Sequence, residues 1–502
     1  MKYSPTAEQQ AIIDAVGSGN SLKVAALAGT GKTSTLQFIA DAYPNRRGLY
    51  LAYNKALQLE AEKKFPSWVD CKTVHGLAYK NEGFKFVGQL QARPDYSKII
   101  ETLAIQDFKV TFAIKDNENK ITVVELLADK QIAICREILR FFAFSKQHTI
   151  EKQNFEFFLQ KELSKLNPDL FEGTLKIDSK KVEVCLQNML QIILTETQKI
   201  WEHQRSPKSD LVPASHDTYL KTYQMSKPRI SGYDYIMLDE AQDANPCILD
   251  ILAQQTCQII YVGDEYQQIY EFRGTVNAMQ TLDLPVLYLT QSFRFGEAIA
   301  NQANTVLKML GSQFLVKGLP SIDSKIATIE SIPYTLLART NTTIFEKCVE
   351  AIKEGYKCSL VVDVKGIISL VRSIFYIWIK KPEWVKDERV KKFKTWDSLV
   401  AISNAEDDVD LLGAIKFIDT YGGKTLNLLN LLEKSGNFPE AQADIIFSTA
   451  HKSKGREWDH VIIAEDFKLK SDQDKNLYYV ALTRAKKVLD HEWPSNSTGK
   501  KK

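Results

Sequence analysis

The chain has 502 residues, 44% hydrophobic and 25% charged, with a net charge of only +3. That is ordinary for a globular protein of several domains, and any nucleic-acid surface must then be a local groove, not a global charge bias. The cysteines at 71, 135, 185, 247, 257, 348 and 358 form no CxxC pair, which argues for reduced thiols and against a structural zinc or disulfide framework.

Met1-Lys2-Tyr3-Ser4-Pro5 opens no apolar signal region, and no apolar run reaches the ~18 residues of a membrane span. The expectation is a protein with no membrane partner, cytoplasmic or, in a eukaryote, nuclear.

Residues 1–90 alternate apolar runs at 22–26 and 48–52 with helical patterns at 6–16, 34–42 and 54–64, as in a parallel α/β layer. From 91 to 225 the pattern changes to long amphipathic helices. Ile134, Ile138, Leu139 and Phe142 form one core stripe, and Val182, Leu186, Met189, Leu190, Ile193 and Leu194 another. Strand runs return at Tyr235–Leu238, Gln258–Val262 and Val286–Leu289. A second α/β unit is read from 286, with strands at 334–338, 359–362, 445–449 and 460–464, interrupted by helices over about 366–440. The polar, basic tail from Pro494 is expected to be disordered.

Ala26-Leu27-Ala28-Gly29-Thr30-Gly31-Lys32-Thr33 lies between the first strand run and a helix opening at Ser34. Strand, glycine loop and helix together make a phosphate-binding loop: the glycines let backbone N–H groups curl around phosphate oxygens. Residues Ala28, Gly29, Thr30, Gly31, Lys32, Thr33 and Ser34 are the candidate nucleotide contacts. Lys32 would reach the β- and γ-phosphates and Thr33 would hold Mg²⁺. Ala26 replaces the usual first glycine. Downstream, the run Tyr235–Leu238 ends in Asp239 and Glu240. Asp239 would hold Mg²⁺, and Glu240 would orient and deprotonate the attacking water.

Asp239-Glu240-Ala241-Gln242-Asp243 resembles motif II of the UvrD/Rep-type helicases of superfamily 1, and further motifs follow in order. Thr6-Ala7-Glu8-Gln9-Gln10 resembles the Q motif, Tyr50 to Lys55 motif Ia, and Lys72 to Gly76 motif Ib. Val262 to Gly274 is similar to motif III, Leu289 to Arg294 to motif IV, and Leu337 to Asn341 to the short motif after it. Ser448 to Glu457 resembles motif V and Tyr478 to Lys486 motif VI.

Within that group the chain resembles most the helicase portion of the F-box DNA helicase family, on Ala28 to Leu36, Cys71 to His75 and His216 to Lys221. The Q motif starts at residue 6, so no F-box and no ubiquitin-ligase function is expected. Only 16 residues follow Lys486 (502 − 486), so no nuclease domain is expected there.

The resemblance implies two RecA-like parallel-sheet domains, each interrupted by a mostly helical insertion: 1–90 with 226–285 around an insertion at 91–225, and 286–365 with 441–493 around a reduced insertion at 366–440. It implies ATP and Mg²⁺ as cofactors. Gln9 would read the adenine edge, Phe293 would stack on adenine and Glu457 would bond the ribose. Gln267 would sense the γ-phosphate, with Arg294 and Arg484 aimed at it from the second unit. Phe272 is the expected base-stacking residue, with Tyr270 packed beneath it. Arg273, Asn54, Thr73, His75 and His451 would contact the strand or couple it to ATP. The aromatic often found at Ala52 is displaced to Tyr53.

The expected function is an ATP-dependent DNA helicase moving 3′→5′ on single-stranded DNA and at single-strand/duplex junctions, in repair, recombination or replication. Two alternatives stand beside it: a DNA-stimulated motor of a nuclease or phage-defence complex, and a nucleotide-gated DNA clamp. The Lys380–Lys394 stretch, interleaving basic and aromatic residues, reads either as a duplex grip or as a solvated face.

Overall fold

The computed structural model describes residues 4–90, 94–113, 121–153, 155, 179–270, 277–361, 364–391, 393–406, 409–435 and 437–494. In chain order the strands are β1 (Leu22–Ala26), β2 (Gly48–Ala52), β3 (Val69–Thr73), β4 (Phe108–Ala113), β5 (Ile121–Leu126), β6 (Tyr235–Leu238) and β7 (Gln258–Gly263). They continue as β8 (Val286–Leu289), β9 (Lys325–Ile326), β10 (Tyr334–Ala338), β11 (Cys358–Val361), β12 (Ile445–Thr449), β13 (Trp458–Ile463) and β14 (Ala485–Asp490).

Among the described residues, six strands form a sheet in the order β3-β2-β6-β7-β1-β8 and six form another in the order β11-β12-β10-β13-β14-β9. The chain divides into two compact units. One is Met1–Lys23, Thr35–Val262 and Tyr270–Val286; the other is Val24–Ser34, Gly263–Ile269 and Leu287–Lys502.

The interior strands are continuous apolar runs because helices cover both faces of a parallel sheet. β2, β6 and β7 are buried along their whole length, and β2 pairs in parallel with β3 on one side and β6 on the other. Gly48 is required by this packing: a Cβ there would lie 2.6 Å from the Tyr235 ring. The strand Val286–Leu289, where the sequence reading opens the second α/β unit, is the edge strand of the first sheet. Its place in a sheet is set by non-local pairing, which its own residues do not encode.

Residues 91–225 contain long helices at Ala128–Phe144 and Ser179–Gln204. Residues of both expected stripes, Ile134, Ile138, Leu139 and Phe142 with Met189, Leu190, Ile193 and Leu194, share one buried core, and Val182 and Leu186 pack against it. The block also holds an antiparallel pair, β4 with β5, in register from Phe108↔Leu126 to Ala113↔Ile121. Its β-branched residues, among them Val110, Thr111, Ile121, Thr122, Val123 and Val124, favour strand over helix.

The chain leaves this block through the helix His216–Met225, opened by a Ser215–Thr218 capping box. Lys221 in that helix is fully buried. Its ammonium donates to the carbonyls of Ser145 (2.8 Å) and Gln147 and lies 4.3 Å from the centre of the Phe142 ring. Burial lowers its pKa to about 8. Lys221 thus holds this helix, and with it Asp217, against the C-terminal end of the helix Ala128–Phe144.

In the other unit, the helices Val364–Trp378, Val409–Tyr421 and Thr425–Ser435 share one core with the sheet. Ile368, Ile374, Phe417, Leu429 and Leu432 are continuous with Leu336 of β10 and Phe447 of β12. Among the described residues no helix is long and apolar enough to cross a membrane, and no group of three or more His, Cys, Asp or Glu is arranged to hold a metal ion.

Candidate functional site

The phosphate loop follows β1 and leads into the helix Lys32–Ala42, so Lys32, Thr33 and Ser34 occupy that helix's first turn. Gly29 and Gly31 have φ of +73° and +78°, left-handed values that favour glycine and turn the backbone of the loop. Thr30 Oγ1 donates to the Leu27 carbonyl at 2.7 Å and closes the turn.

The segment Ser292–Arg294 lies against this loop. The Phe293 N–H donates to the Gly29 carbonyl at 2.8 Å, and a Cβ at Gly29 would lie 2.5 Å from Ser292 Oγ and 2.7 Å from Arg294 Cβ. A side chain at 29 would therefore push the two segments apart. The Phe293 ring is left exposed.

Arg294 and Arg484 have different surroundings. Arg294 Nε donates to Glu457 Oε2 at 2.6 Å and its Nη1 to the Thr483 carbonyl at 3.0 Å. The structure thus pairs Arg294 with Glu457, where the sequence reading gives each its own contact on the nucleotide. Arg484 is 1% exposed. Its Nε donates to the Val480 carbonyl at 2.9 Å, Nη1 to the Arg456 carbonyl at 3.2 Å and Nη2 to Gln267 Oε1 at 3.3 Å. Lys454 Nζ donates to the Gln267 carbonyl at 2.8 Å. Gln267 and Arg484, read as the phosphate sensor and the transition-state cation, are thus in contact.

The paired acids lie in the other compact unit. Asp239 follows β6, and its carboxylate accepts from the Tyr50 phenol at 2.8 Å through Oδ2 and from the Glu240 N–H at 2.9 Å through Oδ1. Burial, and then the Asp239 charge, raise the Tyr50 pKa far above its ordinary value, so Tyr50 remains a donor. Glu240 is left-handed, with φ 53° and ψ 42°. For a non-glycine residue this costs on the order of 1–3 kcal/mol, and such strain concentrates at functional positions. Gln242 Nε2 donates to Glu240 Oε2 at 2.6 Å and orients the carboxylate. Tyr50 and Gln242 are partners that the sequence reading did not single out. A tyrosine inside the apolar run Leu49–Ala52 was the available signal for the first.

Asp239 and Glu240 line a cavity of about 510 Å³ that Tyr53, His75, Arg140, Phe144 and Asp217 also line. His75 Nε2 is 3.1 Å from Asp217 Oδ1. The Tyr53 ring is 40% exposed and lies parallel to Tyr270, with centroids 6.1 Å apart. Two of the expected strand contacts also do local work. Asn54 Oδ1 accepts from the Leu57 N–H and Thr73 Oγ1 from the Gly76 N–H, both at 2.9 Å, as N-caps of the helices Lys55–Glu62 and Val74–Asn81.

Gln9 accepts from the Thr6 N–H at 3.0 Å and donates to Thr35 Oγ1 at 3.1 Å, so reading an adenine edge would require it to exchange one of these bonds. His451 is half-buried in the short helix Ala450–Ser453 after β12. Phe272 and Arg273 lie outside the described residues, as does the tail from 495.

Residues 68–282 match the model of the UvrD/REP helicase N-terminal domain, and 444–489 that of the UvrD-like helicase C-terminal domain. The chain is 32% identical over 530 aligned positions to F-box DNA helicase 1 of Gallus gallus, covering 96% of this chain and 48% of that protein. It is 29% identical over 526 positions to F-box DNA helicase protein 1 of Schizosaccharomyces pombe, covering 96% and 57%. A putative ATP-dependent DNA helicase of Bacillus subtilis, YjcD, is 31% identical over 117 positions, covering 21% and 15%. The chain spans about half the length of the first two relatives.

Proposed function

Because the chain belongs to the UvrD-like helicase family, we propose that it is an ATP-driven motor that moves 3′→5′ along single-stranded DNA and opens junctions with duplex. The observation that carries this reading is the cavity that the paired acids share with Tyr53 and His75. Groups suited to water activation and groups suited to a DNA strand face one space, so occupancy by one ligand bears on the other. Polarity rests on the likeness of Gln-Ile-Tyr-Glu-Phe-Arg-Gly at 268–274 to the 3′→5′ group.

Thr33 and Asp239 would each offer Mg²⁺ a hard oxygen, as the resemblance of their motifs implies, and the left-handed Gly29 and Gly31 give a turned backbone suited to phosphate oxygens. Bound there, Mg²⁺ would neutralise charge on the β- and γ-phosphates. Lys32 holds those phosphates and Phe293 offers its exposed ring to adenine. Glu240, oriented by Gln242, takes the proton of the attacking water. Arg294 and Arg484 stabilise charge on the phosphoryl group in transit, and Arg484 positions Gln267 for it.

On the DNA side, a base-stacking aromatic is worth ~1–3 kcal/mol per base and tolerates any sequence. Phe272→Ala therefore lowers DNA stimulation of hydrolysis and unwinding together, and Phe272→Trp retains both. Equal stimulation and unwinding in wild type and Phe272→Ala would remove Phe272 from that role.

Unwinding of 3′-tailed, 5′-tailed and forked duplexes tests the proposal. Opening of the 3′-tailed and forked substrates is expected. Preference for the 5′ tail would reverse the polarity. DNA-stimulated hydrolysis without unwinding would favour a motor that depends on a partner, and DNA binding gated by nucleotide without hydrolysis would favour a clamp.

A further inference from the structure

Tyr479 lies in the helix Asp472–Leu482 and is fully buried. The Ala28 N–H, in the phosphate loop, donates to its phenol oxygen at 3.1 Å. The phenol lies 3.3 Å from Asp264 Oδ2, which also accepts from Gln267 Nε2 at 2.7 Å. Gln267 Oε1 in turn accepts from Arg484 Nη2.

Chemistry fixes every direction in this series. A carboxylate only accepts and a guanidinium only donates. Tyr479 must then donate to Asp264, and the Gln267 amide must turn its NH₂ to Asp264 and its oxygen to Arg484. Asp264 is itself held, because its Oδ1 accepts from the Tyr266 N–H at 3.1 Å. Asp264, Gln267, Tyr479 and Arg484 are all buried, and in low dielectric such bonds reinforce one another. Burial, followed by the Asp264 charge, keeps the phenol protonated far above its ordinary range.

We propose that Tyr479 is a positioning residue for hydrolysis: its hydroxyl ties the phosphate-loop backbone at Ala28 to the Asp264–Gln267–Arg484 series, so the phosphate cradle and the transition-state cation keep one register. The proposal rests on the ATPase reading above and adds to it a fully buried residue that acts through its neighbours. A merely structural Tyr479 would contribute its ring alone, and Tyr479→Phe keeps the ring.

The test compares wild type, Tyr479→Phe, Gln267→Ala and the double variant in steady-state ATP hydrolysis with saturating single-stranded DNA. Equilibrium binding of a fluorescent ATP analogue and thermal melting are measured alongside. Tyr479→Phe should lower kcat about tenfold, the size of one buried hydrogen bond, with KM for ATP and analogue affinity nearly unchanged; the melting temperature should fall modestly, because the Ala28 N–H loses its phenol acceptor. In the Gln267→Ala background the same substitution should have little further effect, since both interrupt one series.

Wild-type kcat in Tyr479→Phe, or effects of the two substitutions that simply multiply, would overturn the proposal. If Tyr479→Phe does not fold, Asp264→Asn, which places an amide at the centre of the series, carries the same prediction and the same refutation. A wild-type protein that hydrolyses no ATP would defeat the ATPase reading and the proposal with it. An active wild type with an equally active Tyr479→Phe would defeat the proposal alone.

Discussion

Glu240→Gln should bind Mg-ATP with nearly wild-type affinity and turn it over at least ~10²-fold more slowly, because general-base work contributes about 10²–10⁴ to rate. The substitution is close to isosteric, and a glutamine oxygen can still accept from Gln242 Nε2, the bond that orients Glu240 at 2.6 Å. What it removes is a basic oxygen. Glu240 also sits in left-handed backbone, so Glu240→Gly should relieve strain, leaving melting temperature equal to or above wild type while turnover is lost as well. Rates from single-turnover hydrolysis and binding of a labelled nucleotide separate the steps. Near-normal turnover in Glu240→Gln would assign the base elsewhere.

Removing either arginine should abolish most DNA-stimulated hydrolysis, by about 10³-fold or more if each acts as a transition-state cation, while single-stranded DNA binding persists. The two variants should differ in stability. Arg484 is buried and satisfies the Val480 and Arg456 carbonyls, so Arg484→Ala leaves buried acceptors that cost about 1–3 kcal/mol each. Its melting temperature should fall, and Arg484→Lys, which keeps charge but loses the planar fork, should not recover activity.

Arg294 is more accessible, with its main charged partner Glu457 half-exposed, so Arg294→Ala should melt close to wild type and still fail to hydrolyse. DNA binding lost with hydrolysis intact, in either variant, would make that arginine a DNA contact.

Much of the fold was legible because its signals are local. Apolar runs at 22–26, 48–52, 235–238 and 258–262 are long enough for strands and bounded by turn or helix residues, and β1, β2, β6 and β7 lie there. The 91–225 block reads as helical because its stripes are strong. Two short β-branched runs inside it gave a weaker, period-two signal, and they form the antiparallel pair of β4 and β5.

At the site, Asp239 and Glu240 stand out at the end of an apolar run, and Gln267 and Arg484 through the resemblance of their motifs to those of the UvrD/Rep-type helicases. Their partners were not, because those contacts are made by folding: Tyr50 meets Asp239 across 189 positions, Tyr479 meets Asp264 across 215, and Asp217 meets His75 across 142. Asn54 and Thr73 carry a second, local signal besides their place in the motifs. Each is a side chain of N-cap type standing directly before a helical run, and each caps it.

Steady-state hydrolysis with and without an oligonucleotide tests most directly whether ATP hydrolysis in this chain is coupled to single-stranded DNA. Saturable stimulation by single-stranded DNA, absent in Lys32→Ala, is the predicted result. An ATPase rate that is the same at every DNA concentration, in protein that binds both ligands, would contradict it.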